Sequence, residues 1–206
     1  MKKNVFTFVF AFGALIFSTE LSAQDRPVSF GLKAGTNLSN YRLGGNNKGF
    51  KSNLNIGGTA GGFVKYDLNS NFALRSGIDV YYKTSKLESK SDKSSDKLKS
   101  LGLEIPLYGI FQGELGTGKV FIGAGPYIGY GIIAKSDGVN LFKKSGDTGK
   151  PVMSRFDYGI GAILGYDFDK NWQINASYQF GLADLDKGTA GSLKNQGASI
   201  GVAYKF

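Results

Sequence analysis

The chain contains no cysteine and no histidine. Without cysteine there is no disulfide, no thiolate metal site and no residue to carry a lipoprotein acyl chain. Without histidine the general base of most acyltransferases, lipases and proteases is missing. Catalysis would then need a Ser–Lys or two-carboxylate mechanism, and no such pair stands out, so no enzyme activity, cofactor or metal is expected. Proline is scarce, at 4 residues against 31 glycines. Beyond residue 23 no apolar run approaches the roughly 20 residues of a membrane-spanning helix. Any crossing of a bilayer therefore falls to strands.

The first residues have their own pattern. Lys2 and Lys3 precede an apolar run from Val5 to Phe17, which ends at Ser22-Ala23 before Gln24. This is the layout of a secretory signal peptide, so residues 1–23 are read as the signal and 24–206 as one exported domain.

In the exported part, apolar and polar residues alternate. Trp172, Ile174, Ala176, Tyr178, Phe180 and Leu182 hold one phase against Gln173, Asn175, Ser177, Gln179 and Gly181. Ala198, Ile200, Val202, Tyr204 and Phe206 repeat the pattern at the end of the chain. Period two means strands with different neighbours on their two faces, and runs of about ten residues suit a tilted strand crossing a bilayer. The same alternation predicts strands over 28–38, 54–66, 72–83, 101–111, 120–130, 155–167, 172–182 and 198–206. Short turns at 67–70, 113–118 and 169–171 alternate with polar loops at 41–52, 85–99, 135–152 and 184–195. Pro106 is out of place in such a pattern, because proline removes a ladder donor. The expectation is an all-β fold, an eight-stranded antiparallel up-and-down transmembrane barrel in the outer membrane, with short turns in the periplasm.

Alternation alone also fits a soluble barrel with its faces reversed. Glycine separates the two. Gly31, Gly35, Gly61, Gly77, Gly123, Gly159, Gly161 and Gly165 all fall in the polar phase. An exposed glycine packs nothing, whereas in a narrow lumen it makes room for long side chains from neighbouring strands. The polar face is therefore expected inside.

Four stretches resemble one family. They are Phe30-Gly31-Leu32-Lys33-Ala34-Gly35-Thr36-Asn37-Leu38-Ser39, Leu103-Glu104-Ile105-Pro106-Leu107, Ile122-Gly123-Ala124-Gly125-Pro126-Tyr127-Ile128-Gly129-Tyr130 and Gly201-Val202-Ala203-Tyr204-Lys205-Phe206. Together they are similar to the PorT-like outer-membrane β-barrel proteins found widely in Bacteroidetes, which likewise place proline at such positions. The resemblance implies an eight-stranded outer-membrane barrel and raises a link to type IX secretion. Its motifs specify strands, so it implies no catalytic residue.

Two groups of charges are candidates for function. Lys33, Lys65, Arg75, Asp79, Glu104, Arg155, Asp157, Asp167 and Lys205 lie in the inward phase. They form either a polar pore or proton path, or a set of paired charges filling the interior. Eight strands leave room only for side chains, which favours pairing. The second group is the basic loops. The formal charge of +9 becomes +8 without the signal, and +7 of that falls in the first three loops. Lys86, Lys90, Lys93, Lys97, Lys99, Lys143 and Lys144 are expected to meet lipopolysaccharide phosphates, or else to belong to solvated loops. Other expected partners are outer-membrane lipids, the barrel-assembly machinery, with Phe206 as the assembly signal, and an envelope or secretion protein. No nucleic acid is expected, and the barrel is expected to be a monomer. A structural or interaction role leads, with a small passive pore as the alternative.

Overall fold

Alternating residues become strands when each backbone N–H and C=O finds a ladder partner, and inside a bilayer every such group must do so. The computed structural model describes residues 27–45, 50–89, 95–136, 139–145, 150–187 and 191–206. The expected signal peptide and Lys90 and Lys93 lie outside the described residues. The long strands are β1 (Val28–Gly45), β2 (Phe50–Asp67), β3 (Phe72–Ser89), β4 (Ser95–Leu115) and β5 (Gly118–Ser136). Three two-residue strands follow: β6 (Val139–Asn140), β7 (Lys144–Ser145) and β8 (Lys150–Pro151). The last long strands are β9 (Phe156–Asp167), β10 (Trp172–Gly181) and β11 (Gly191–Lys205).

The eight long strands form a closed ring in the order β4, β3, β2, β1, β11, β10, β9, β5, with β5 returning to β4. Every pairing is antiparallel, and β1 meets β11 from Gly31 opposite Lys205 to Gly45 opposite Gly191. Closure removes both sheet edges. The backbone N–H of Phe206 donates to the Phe30 carbonyl at 2.9 Å, extending this seam. Among the described residues no helix is long and apolar enough to cross a membrane.

The polar phase faces inward. Arg75, Asp79, Lys83, Glu104, Asp157 and Asp167 are buried, while Leu32, Ile56, Ile78, Leu107, Ile122, Leu164 and Ile200 are exposed on the outer wall. In water this apolar belt would far exceed the few hundred Å² that a soluble monomer shows. Aromatic pairs ring the turn end of the wall. Phe72 and Phe111 lie 5.3 Å apart, Tyr166 and Phe168 5.3 Å, and Trp172 and Tyr204 5.1 Å. Such girdles mark the bilayer interface.

Two turns are built alike. Asn69 Oδ1 accepts from the N–H groups of Asn71 and Phe72 at 2.9 and 2.8 Å. Asp169 Oδ1 does the same for Asn171 and Trp172, both at 2.7 Å. A short side-chain acceptor completes a turn that the backbone alone would leave open.

Several strands run farther outward than alternation predicts. β1 reaches Gly45, β3 reaches Ser89, β4 starts at Ser95 and β11 at Gly191, so parts of the expected loops 41–52, 85–99 and 184–195 are barrel wall. Above the membrane both faces of a strand can be polar, and the hydropathy signal vanishes although the ladder continues. A bulge at Leu101/Gly102 against β5 leaves both Ile132 and Ile133 exposed and sets Gly131 and Ala134 facing inward. Pro106 is buried, and its carbonyl accepts from the Ser76 hydroxyl at 2.8 Å where the β3–β4 ladder is interrupted.

Candidate functional site

Because the polar phase of all eight strands converges on one narrow space, the candidate site is the lumen itself. At the turn end, Asp67 accepts from Lys65 at 3.0 Å and from Gln112 at 2.7 Å. Beside it Asp167 takes the Lys205 ammonium and, at 2.6 Å, Gln173 Nε2. The other end of that amide, Gln173 Oε1, accepts from Arg75 at 2.8 Å. The Arg75 guanidinium stacks on Phe63 at 3.9 Å, with Phe121 at 5.7 Å. An apolar cluster of Ala73, Tyr108, Ile110, Phe121 and Ile163 fills the space around it.

Midway along the barrel, Lys33 pairs with Asp79 at 2.8 Å and Lys83 with Glu104 at 2.6 Å. Gln179 bridges the second pair: its Oε1 accepts from Lys83 at 3.2 Å and its Nε2 donates to Glu104 at 3.1 Å. Farther out, Asp157 accepts from Tyr127 at 3.3 Å and from Asn195 at 3.0 Å. A cavity of about 50 Å³ opens beside the central charges, lined by Lys33, Asn37, Asp79, Lys83, Glu104 and Asn175. Among the described residues, Asp79 Oδ1, Asn37 Oδ1 and Asn175 Nδ2 have no hydrogen-bond partner. Such a space suits a few water molecules and falls well short of the roughly 300 Å³ of a small-molecule site. Gly161 makes part of this packing possible, since a Cβ there would stand 2.9 Å from the Tyr108 hydroxyl.

Of the nine inward charges, Lys33 and Asp79 form one pair and Asp167 and Lys205 another. Lys65 pairs with Asp67, and Glu104 with Lys83. Arg155 differs from expectation. Among the described residues it meets no carboxylate; it donates to the carbonyls of Gly131 at 3.0 Å and Ile132 at 2.8 Å and covers the Phe142 ring at 4.6 Å. The bulge exposes those carbonyls to it. Lys83 was not among the expected set, although it shares the phase of Asp79 and Tyr81. It stood at the edge of the predicted strand, where alternation fades.

The outer mouth is closed by apolar side chains. Tyr41, Leu98, Ala134, Phe142, Met153, Ala183 and Leu185 form one buried cluster, with Leu43, Leu141 and Leu193 packed against it. Backbone bonds tie the segments together. Leu141 donates to Ala134 at 2.8 Å, Met153 to Leu141 at 3.1 Å, Ser154 to Leu185 at 2.8 Å and Leu185 to Leu193 at 2.8 Å. A Cβ at Gly131 would overlap the Phe142 ring, so glycine lets this stopper seat. The expected loop 135–152 is thus, in part, a cover. The basic side chains stand outside it: Lys97, Lys99 and Lys143 are exposed, and Lys86, Lys97 and Lys99 lie on strands rather than in a loop. Lys144 pairs with Pro151 in the β7–β8 ribbon.

The model of the outer membrane protein beta-barrel domain matches residues 22–187. The chain belongs to this family. Its place is the outer membrane, where it stands as a closed eight-stranded barrel. The solved structure of the outer membrane protein OprG from Pseudomonas aeruginosa is 12% identical, covers 88% of this chain and 97% of that one, and gives a TM-score of 0.52. Neisserial surface protein A is 17% identical with 87% and 99% covered and a TM-score of 0.48. E. coli outer membrane protein W is 16% identical with 89% and 100% covered and a TM-score of 0.46. At such identities the likeness to OprG speaks for the fold alone. No curated protein matches the sequence.

Proposed function

We propose that this protein is a closed structural barrel, neither an enzyme nor an open pore, which meets the envelope through its outer rim. One observation carries the reading: side chains bar the lumen at the turn end, midway and at the mouth, leaving only a small polar cavity beside Lys33 and Asp79. An Arg75–Gln173–Asp167–Lys205 chain lies at the turn end, ion pairs lie midway and an apolar stopper fills the mouth. An ion entering from either side would have to break hydrogen-bonded pairs or cross the stopper, and unpairing a buried charge costs several kcal/mol. The catalytic reading gains nothing from the interior, whose cavity is too small for a substrate.

The rim supplies the outward contacts. Its exposed lysines suit the anionic lipopolysaccharide surface. An accessory role in secretion, as the PorT resemblance implies, is compatible with a barrel that offers only its rim and turns to partners. A passive pore is the second reading, favoured by the polar cavity beside Lys33 and Asp79. Planar-bilayer recording of the refolded protein decides between them: the closed barrel gives no reproducible conductance steps, and steady single-channel steps would establish the pore. Loss of exported cargo on deleting the gene, with barrel and lipid composition otherwise normal, would support the secretion role.

A further inference from the structure

At three places in the lumen a lysine, a carboxylate and a glutamine stand together, and their geometry differs. In the first, Asp167 takes Lys205 and Gln173 Nε2, but the amide carbonyl of Gln173 accepts from Arg75, away from the lysine. In the second, Lys65 and Gln112 Nε2 converge on a single oxygen, Asp67 Oδ1. The third closes into a ring. Lys83 Nζ lies 2.6 Å from Glu104 Oε1 and 3.2 Å from Gln179 Oε1, while Gln179 Nε2 lies 3.1 Å from Glu104 Oε2. One carboxylate thus bridges an amine and the amide that the amine faces.

The setting of this ring matters as much as its shape. Lys83 is on β3 and Gln179 on β10, with three strands between them whichever way the barrel is followed. The two side chains therefore meet across the full width of the lumen. The Lys83 and Glu104 side chains are only 7% and 6% exposed, and the Tyr81 ring lies 4.5 Å from the ammonium. All three residues line the small midway cavity, which has room for a product the size of water. An amide that only satisfied the spare lone pairs of a carboxylate would have no need to turn its carbonyl to the lysine, and Gln173 does not.

We propose that the side chains of Lys83 and Gln179 become joined by an amide bond, formed inside the folded barrel with Glu104 as the catalytic base and acid. Both contacts of Glu104 fall within the roughly 2.6–3.2 Å that proton transfer requires. Glu104 Oε1 takes a proton from the Lys83 ammonium, and the freed lone pair of Nζ attacks the side-chain carbonyl carbon of Gln179, one bond beyond Oε1. Glu104 then passes that proton to Nε2. The bond from carbon to Nε2 breaks as the carbonyl re-forms, and ammonia leaves. The new amide nitrogen gives its surplus proton to Glu104, which ends as a neutral acid, so one positive and one negative charge disappear and no co-reactant is needed. An amine attacks an ordinary amide slowly in solution, but a fixed neighbour acts at an effective concentration of about 10⁵–10⁸ M. The reaction runs once per chain. Because the two residues are 96 apart in sequence, it needs the closed barrel, so a freshly refolded chain carries the ion pair and the bond accumulates afterwards. The bond does not depend on conductance, and an open barrel would overturn the closed-barrel reading without touching this site.

The test is a tryptic map of protein purified from outer membranes, and of full-length chain refolded from urea into lipid vesicles and sampled over days. Intact mass should fall by one ammonia. Mass alone does not decide, because Gln24, the expected first residue of the exported chain, also expels ammonia if it cyclises. The deciding product is a branched peptide in which residues 76–86, uncut after Lys83, are joined to residues 171–187, with fragmentation placing the junction at Lys83 and Gln179. No junction should appear at Lys65 or Lys205. Lys83→Arg, which keeps a cation beside Glu104 but removes the nucleophile, should give no branched peptide, and Glu104→Gln should form it at least tenfold more slowly. The faster-migrating unheated gel band shows that each variant has folded. Should Glu104→Gln fail to fold, the wild-type map and Lys83→Arg still decide. Recovery of residues 76–83 and 171–187 as separate peptides from folded wild type would overturn the proposal, as would undiminished linking in folded Glu104→Gln.

Discussion

Lys83 Nζ stands 2.6 Å from Glu104 Oε1, on adjacent strands and with both side chains almost wholly enclosed by the barrel. Gln179 holds both partners, and the ammonium also lies 4.5 Å from the Tyr81 ring. A buried pair is costly to break and cheap to replace as a whole. Glu104→Ala should therefore destabilise the barrel by about 3–5 kcal/mol, because Lys83 is left charged and buried without its carboxylate. Replacing both partners, Lys83→Met with Glu104→Leu, should recover most of that loss. Urea unfolding in lipid vesicles measures both, and a double variant as unstable as the single one would show that shape, not charge, is what the pair provides.

Gln173 is a neutral joint between charges. It donates to Asp167 and accepts from Arg75, and it is buried. Gln173→Leu keeps the volume and removes both bonds. With hydrogen bonds to charged groups contributing about 1.5–3 kcal/mol each, the expected loss is about 3 kcal/mol. Gln173→Glu should fall between the two, since it regains Arg75 but sets a second carboxylate beside Asp167. The temperature at which the unheated gel band converts to the slower unfolded band ranks all three proteins.

The Asp169 turn makes stability depend on pH. The N–H groups of Trp172 and Asn171 hold its carboxyl below the usual carboxylate range. A depressed folded value means that the contribution is fully present above the unfolded value, about 3.9, and is lost as pH falls through the lower folded one. The denaturation midpoints of wild type and Asp169→Ala should therefore differ by a constant amount from neutral pH to about pH 5 and converge below pH 4. Asp169→Asn, which copies the side chain used at Asn69 in the companion turn, should keep the turn and show no such convergence. A pH-independent gap for Asp169→Ala would mean that the carboxylate charge contributes nothing.

The lipid-facing wall was legible in the sequence because lipid enforces a strict rule: Leu103, Ile105 and Leu107 must be apolar where Gly102, Glu104 and Tyr108 need not be. The rule lapses above the membrane. Ser95 to Lys99 continue β4 with water on one side, so the register of Lys86 with Lys97 carried no hydropathy signal. Inside, the inward phase revealed which charges share the lumen, but not which carboxylate each cation meets. Arg155 shows why: its partners are the carbonyls of Gly131 and Ile132, freed by a bulge that sequence periodicity does not mark. Gln173, Gln179 and Asn195 were passed over because a neutral amide is conspicuous only once both of its neighbours are known. The stopper was hidden for a related reason. Leu141-Phe142 and Val152-Met153 are short apolar pairs in a polar stretch, without the alternation that marks a strand, and only the folded chain brings Leu141, Phe142 and Met153 onto Tyr41, Leu98 and Leu185.

Two barriers in series, an apolar stopper above a charge-paired interior, make an unusual prediction about removing one of them. Phe142 is buried between Gly131 and Arg155, and Phe142→Ala should cost about 3 kcal/mol locally by unseating the segment from the mouth. Hydrogen exchange of the amides of Leu141 and Met153, which are bonded across the mouth, should speed up markedly while that of the β9–β10 ladder does not change. Conductance should still be absent, because the Lys83–Glu104 and Lys33–Asp79 pairs lie below the stopper and remain in place. Phe142→Ala combined with Lys83→Ala and Glu104→Ala should also stay closed, because Lys33–Asp79 and the Arg75–Gln173–Asp167–Lys205 chain still bar the lumen. Channel steps from Phe142→Ala alone would make the stopper the sole gate and reduce the charge layer to a hydrated lining.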